Sequence, residues 1–215
     1  MASRLLLRVG ALGYLAVLLL VPVGMIGYRT FAHGVGPVLD ALSTPAATHA
    51  LYLSVVVTAI AVPLDVVFGV VAGLALARRR MPLGRLVNLL VNLPFAMSPV
   101  VIGLALFTLY GRGGWLGDRL AAHGIAVLFS VPGLVLATAF VALPFVVREI
   151  VPVLDELGTS QEQAAATLGA GSWTTFWRIT LPSIRWALAY GVVLSTARAL
   201  GEYGAVSIVS GDIVG

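Results

Sequence analysis

Apolar runs long enough to cross a bilayer recur along this chain, and they constrain its fold more than any other feature. A hydrocarbon core of ~30 Å needs roughly 20 consecutive apolar residues in a helix. Inside it every backbone amide must be satisfied by the protein itself. Runs of this kind cover residues 9–28, 50–77, 86–110, 125–147 and 186–210. The expected fold is therefore all-α, a polytopic transmembrane helical bundle forming one domain over residues 1–215. Composition agrees, with 60% hydrophobic and only 10% charged residues, against about 25% charged in soluble domains. The first run resembles a signal peptide after Arg4 and Arg8, but it is too long and lacks a small-residue cleavage site. It reads as an uncleaved first transmembrane helix.

The net charge of +4 comes wholly from arginine, since the chain has no lysine. In a bilayer protein this charge reports topology, because cytoplasmic segments are enriched in Lys and Arg. With the N-terminus inside, the inner segments hold Arg4, Arg8, Arg78, Arg79, Arg80, Arg85, Arg148, Arg178 and Arg185. The outer segments then hold Arg29, Arg112 and Arg119. A multi-pass protein of the plasma membrane with a cytoplasmic N-terminus is expected, embedded in lipid and with no nucleic-acid partner. The chain contains no cysteine, which excludes disulfides, thiolate metal sites and cysteine nucleophiles. It stops at residues 211–215 without a charged tail, so a truncated product lacking a final C-terminal helix is expected.

Between the last two apolar runs lies a polar segment, residues 159–182, TSQEQAAATLGAGSWTTFWRITLP. The inside-N topology makes it cytoplasmic. Thr159 and Glu162 have the spacing of a capping box, followed by the helix-favouring Gln163-Ala164-Ala165-Ala166. Gly169 suits a left-handed helix end, and Ser172 is placed to cap a second helix. On that second helix Trp173, Phe176 and Trp177 share one face, and Pro182 marks the end of the unit. The pattern predicts a helix–turn–helix that meets a partner. A loop packed beneath its own bundle, or an interfacial helix, are the alternatives that the residues alone allow.

This segment resembles the EAA loop of ABC-importer membrane subunits, whose pattern is E-A-A, three residues, G, nine residues, I, one residue, L-P. Gln163, Ala164, Ala165, Gly169, Ile179, Leu181 and Pro182 fall on that spacing. The motif glutamate is replaced by Gln163, with Glu162 one place earlier and about 100° around the helix. The resemblance implies the type I ABC-importer permease fold and a loop that docks on a cytoplasmic ABC ATPase dimer. The replacement puts the usual docking ion pair in question.

Further stretches resemble the sulfate/thiosulfate branch of these permeases, W type. They are Asn92-Leu93-Pro94-Phe95, Ser98-Pro99-Val100-Val101, residues 109–115, residues 145–149 and residues 197–206. The molybdate/tungstate permeases are similar around residues 198–204, and remain the alternative substrate branch. The resemblance also implies a second, homologous permease subunit sharing the pathway, and a periplasmic or extracellular sulfate-binding protein. No cofactor is expected on this chain. ATP and Mg belong to the partner ATPase, because Gly-Arg-Gly-Gly at 111–114 lacks the P-loop pattern.

Charges inside apolar runs are the candidate pathway residues, since each costs ~2.5–3.5 kcal/mol at the bilayer centre on insertion scales. Arg198 and Glu202 lie at i, i+4. They read either as a structural ion pair or as an anion-pathway arginine held by a carboxylate. Asp65 follows Pro63 and reads as a gate element or as a packing-level hydrogen bond to a serine or asparagine. Asn88, Asn92 and Ser98 either satisfy backbone groups released by Pro94 and Pro99 or line the pathway. Arg112, Trp115 and Arg119 are expected on an outer contact loop. An intramembrane enzyme is disfavoured, since no H-E-x-x-H, G-x-S-x-G or pair of intramembrane aspartates is present. A passive scaffold or channel would not explain the docking pattern.

Overall fold

A computed structural model of the chain describes residues 2–78, 84–124 and 126–210, with side chains from residue 8 onward. Arg79, Arg80, the side chain of Arg4 and residues 211–215 lie outside the described residues. The chain forms two compact units, Met1–Leu51 and Tyr52–Gly215. Every described element is helical.

The first unit contains α1 (Ala2–Phe31) and α2 (Gly36–Leu42), joined through a turn at Gly34, φ +89°. Thr44 then starts α3 (Pro45–Ala77). Its Oγ1 accepts the Ala47 amide at 3.3 Å, and Pro45 takes the first helical position, where a missing N–H costs nothing. From this start α3 continues into the second unit.

In the second unit, α7 (Val131–Leu157) is the central element, buried along most of its length. One core cluster joins α3, α7 and α10 (Leu181–Leu200) through Val70, Val146, Ile150, Leu154 and Ile184. Another joins α5 (Pro99–Tyr110), α7 and α11 (Gly204–Ser210) through Ile102, Ala137, Val141, Ala205 and Val209. Bilayer helices gain little from the hydrophobic effect against lipid, so they depend on close backbone approach over small residues. At Gly69 of α3 an added Cβ would lie 2.5 Å from Val146 Cγ1. At Gly191 of α10 it would lie 3.1 Å from Val146 Cα. Two glycines thus let α3 and α10 close on the same point of α7.

Among the described residues three helices are long and apolar enough to cross a membrane: Arg8–Phe31, Pro45–Ala77 and Val131–Leu157. Two bent pairs pass the same test together, giving up to five spans. One pair is α4 (Gly84–Ala96) and α5, bent by 116°. The single run expected over residues 86–110 is therefore two helices. Pro94 lies inside α4, and Pro99 explains the break, because it holds Ser98 in the extended conformation at φ −66°, ψ 141°. The other pair is Ser172–Leu200 with Gly204–Ser210, bent by 51°. The helix expected to start at 186 starts earlier, and it breaks at residues 201–203 rather than running to 210. Between α5 and α7 lies a tight glycine-rich turn and the short α6 (Gly117–Ala122). α7 itself begins at 131, where Ser130 is extended ahead of Pro132, and ends at Gly158, φ +62°.

Candidate functional site

The polar segment folds as α8 (Ser160–Thr167), a reversal at Gly169, α9 (Ser172–Thr175), and a π-helical stretch Phe176–Thr180 that runs into α10. The reversal is set by hydrogen bonds that only a left-handed residue permits. Gly169 has φ +83°. The Ala170 amide donates to Ala165 O at 3.0 Å and the Gly169 amide to Ala166 O at 3.0 Å, the two bonds of a Schellman motif. The tip carries Leu168, 88% exposed. Beyond it Trp173, Phe176 and Trp177 pack ring on ring, with centroids 5.4–6.1 Å apart. Phe176 packs against the α3–α7–α10 core, while Trp173 stays 73% exposed. Leu168, Trp173 and Trp177 are thus exposed apolar side chains on a polar turn.

Pro182 does not interrupt this helix. Its ring would collide with the carbonyl one α-turn back, but the π turn before it has a wider hydrogen-bond step, with the Leu181 amide reaching Phe176 O. The result is one continuous rod from Ser172 to Leu200.

The capping roles expected at Thr159 and Ser172 are not found. Thr159 makes no side-chain cap; its Oγ1 accepts the Gln163 side-chain amide at 2.9 Å. Gly171, not Ser172, occupies the cap position of α9. Glu162 is engaged elsewhere. Its carboxylate takes Nε and Nη2 of Arg78 at 3.1 and 2.8 Å and the Thr180 hydroxyl at 3.0 Å. Arg78 Nη1 donates in turn to Leu154 O at 3.1 Å. A two-pronged arginine–carboxylate pair is both strong and directional. This network joins the end of α3, the end of α7, α8 and the π turn at one point. Glu162 therefore faces the bundle, and Gln163, Ala164 and Gly169 present the outer surface of the element. Ala165 is buried, Ile179 and Leu181 are half-buried, and Pro182 is exposed. Sequence reading assigned Arg78 to topology alone and missed Thr180; no local signal links residues this far apart.

Within the bundle the candidate pathway residues separate into distinct sites. Asp65 accepts the Ser195 hydroxyl at 3.0 Å, fully buried between α3 and α10. This is the packing-level hydrogen bond to a serine. Arg198 Nη2 lies 2.6 Å from Glu202 Oε2, and Glu202 Oε1 accepts the Ala205 amide at 2.8 Å. Glu202 thus fixes the arginine and starts α11. Asn92 Nδ2 donates to Asn88 O and Oδ1 at 2.7 and 2.9 Å. The carbonyl freed by Pro94 is that of Leu90, four residues back, so this pair does not serve the released backbone. Ser98 is exposed at the α4–α5 break. A cavity of about 1370 Å³ opens between α4 and α7 beside the end of α3, with Asn88, Asn92, Arg85 and Arg148 on its walls. Asp65, Arg198, Glu202 and Ser98 do not line it. On the turn after α5, Trp115 is 87% exposed, and it borders a smaller cavity with Arg119.

Residues 65–214 match the family described as binding-protein-dependent transport system inner membrane component. The sulfate transport system permease protein CysW of Synechocystis is 51% identical over 205 residues, covering 95% of this chain and 74% of the relative. The CysW protein of Escherichia coli K12 is 49% identical over 200 residues, covering 93% and 69%. The CysT protein of Synechococcus elongatus is 36% identical over 200 residues, covering 93% and 72%. The all-helical fold with several apolar spans, the exposed turn at Gly169 and a family match over most of the chain lead to one conclusion: this chain belongs to the binding-protein-dependent transport system inner membrane components, the type I ABC-importer permeases, which are transport subunits rather than enzymes.

Proposed function

We propose that this chain is the membrane-spanning permease subunit of an ATP-driven importer of sulfate or thiosulfate, and that it provides half of the translocation pathway. The observation carrying this reading is the α8–Gly169–α9 element. It offers an apolar tip to a partner and continues without a break into the membrane helix α10. Sulfate is favoured because relatives of both the W and the T type bear that substrate in their names. The existence of both types supports a second, homologous permease beside this one.

A cytoplasmic ATPase pair, using ATP and Mg, docks on the tip, and its closure moves α8 and the rod together. The Arg78–Glu162–Thr180 network transmits that displacement to α3 and α7, so the bundle rocks rather than bending locally. Alternating access needs this kind of rigid-body exchange around a central site. With the N-terminus cytoplasmic, as the arginine distribution favours, the turn carrying Arg112, Trp115 and Arg119 faces the binding protein that delivers the anion.

ATP-dependent uptake of labelled sulfate into vesicles holding the complete complex tests this reading, with Gly169→Val as the variant. Valine at φ +83° is a steric outlier, so uptake should fall at least tenfold while the permease pair still assembles. Uptake unchanged in a properly assembled variant would count against the coupling role. Uptake of molybdate but not sulfate by the unaltered complex would overturn the substrate.

A further inference from the structure

The arginines of the second unit are not chemically equivalent. Arg78 spends its donors on Glu162 and Leu154 O, and Arg198 is held by Glu202. Arg85 and Arg148 make no ion pair or hydrogen bond to protein among the described residues, and both line the cavity between α4 and α7. Arg85, Asn88 and Asn92 lie at i, i+3 and i+7 on α4, hence on one face. Arg148, Pro152 and Asp155 lie at i, i+4 and i+7 on α7, and the two faces look across the cavity at each other.

The polar groups are also oriented. Arg148 lies over the Phe95 ring, 4.5 Å from its centroid, and Phe95 is braced edge-on by Phe145 at 5.2 Å. Stacking holds a guanidinium by its face and leaves its N–H edge free for an acceptor in the plane. Asn92 gives its amide hydrogens to Asn88, so Asn88 Oδ1 is occupied and its Nδ2 is left as the available donor. Asp155 is the one carboxylate on the wall, and it pairs with neither arginine among the described residues. The donors available are therefore two guanidinium groups and one amide, which suits a ligand that only accepts hydrogen bonds. At about 1370 Å³ the cavity has room for such a ligand with its water shell. It sits at the coupling end of the bundle, since α7 continues from Arg148 to Leu154, whose carbonyl holds Arg78.

We propose that this cavity is a binding site for a tetrahedral oxyanion carrying two negative charges, held by Arg85, Arg148 and Asn88. It serves as the last station of the transported anion before release at the ATPase end. The inference rests on the oxyanion-importer reading and deepens it. A phospholipid headgroup has the same chemistry, and the experiment separates the two sources.

The permease–ATPase complex is purified in detergent at low ionic strength, and labelled sulfate binding is measured by equilibrium dialysis. Arg85→Gln and Arg148→Gln should each weaken binding at least tenfold, and the double variant should abolish it. Arg148→Lys, which keeps the charge and the stacking on Phe95 but loses the fork, should recover part of the affinity. Arg185→Gln removes the same charge from a site outside the cavity and should leave binding unchanged. Melting temperature, measured alongside, should stay at the wild-type value in Arg85→Gln, where a purely structural arginine would shift the melting point instead, and basal ATP hydrolysis should be unaltered in Arg185→Gln. Equal binding in the wild type and both Gln variants overturns the proposal, as does displacement of the label by anionic phospholipid at matched phosphate concentration. Sulfate uptake by wild-type vesicles is scored separately. Robust uptake without cavity binding removes this inference and leaves the importer reading in place, whereas absent uptake of sulfate removes both.

Discussion

Arg78 contacts the carboxylate of Glu162 and the carbonyl of Leu154, and through Glu162 it reaches the hydroxyl of Thr180. Its side chain is 9% exposed, so water cannot replace these partners cheaply. Removing one member of such a pair leaves the other charge partly buried and alone. Arg78→Ala is expected to cost about 2–3 kcal/mol of stability, read as a lowered melting temperature of the detergent-solubilised complex. It should also loosen the dependence of ATP hydrolysis on substrate. Gln163→Ala, on the exposed face one residue away from Glu162, should leave the melting temperature within error. If the two variants melt alike, the network is not a strut. An effect of similar order is expected at the buried hydrogen bond of Ser195 to Asp65. Ser195→Ala leaves Asp65 Oδ2 without that hydroxyl, at about 1–3 kcal/mol, while Ser195→Thr, which retains a hydroxyl, tests whether hydrogen bonding or packing volume dominates.

Two elements depend on glycine for different reasons. At Gly169 the requirement is conformational: φ +83° closes the Schellman reversal between α8 and α9. The left-handed region costs an ordinary residue about 1–2 kcal/mol, and Asn tolerates it better than most. Gly169→Asn should therefore retain most uptake where Gly169→Val loses it, a ranking that an unstructured docking loop would not produce. At Gly69 the requirement is spatial. A side chain there would meet Val146 of α7 at 2.5 Å, and overpacking of this kind costs typically about 1–3 kcal/mol. Gly69→Leu should lower the melting temperature with the coupling tip still intact, as judged by ATPase retained during purification. The two variants separate the loss of a reversal from the loss of a helix–helix seam. The helix bounds follow the same local logic. Ser98-Pro99 breaks the 86–110 run, and this signal is present in the sequence. A hydropathy reading passes over it because both halves are apolar. The π turn ahead of Pro182 is signalled only by the proline itself, whose ring excludes an α-helical carbonyl one turn back.

At the scale of the whole molecule, the arginine distribution and the proposed docking of the α8–Gly169–α9 element make one joint prediction about sidedness. The chain contains no cysteine, so single cysteines report position without background. Trp115→Cys should react with a membrane-impermeant thiol reagent from outside the membrane, and Leu168→Cys only after permeabilisation. The reverse pattern would invert the proposed orientation, and with it the placing of the ATPase and the binding protein. Much of this was legible in the sequence. Runs of apolar residues specify helices in lipid because backbone groups there have no other partner. The spacing from Gln163 to Pro182 specifies the α8–Gly169–α9 reversal because turn and helix signals act within a few residues. The tertiary structure decided what those signals cannot reach. Glu162 turns inward to Arg78, 84 residues away, rather than outward or back onto its own helix start. Asp65 finds Ser195 at a separation of 130 residues. Arg85 and Arg148 come to share one cavity while Arg198 is already paired. Sequence alone could count these charges, but which of them are neutralised and which remain available depends on helix packing that brings distant side chains within hydrogen-bonding range.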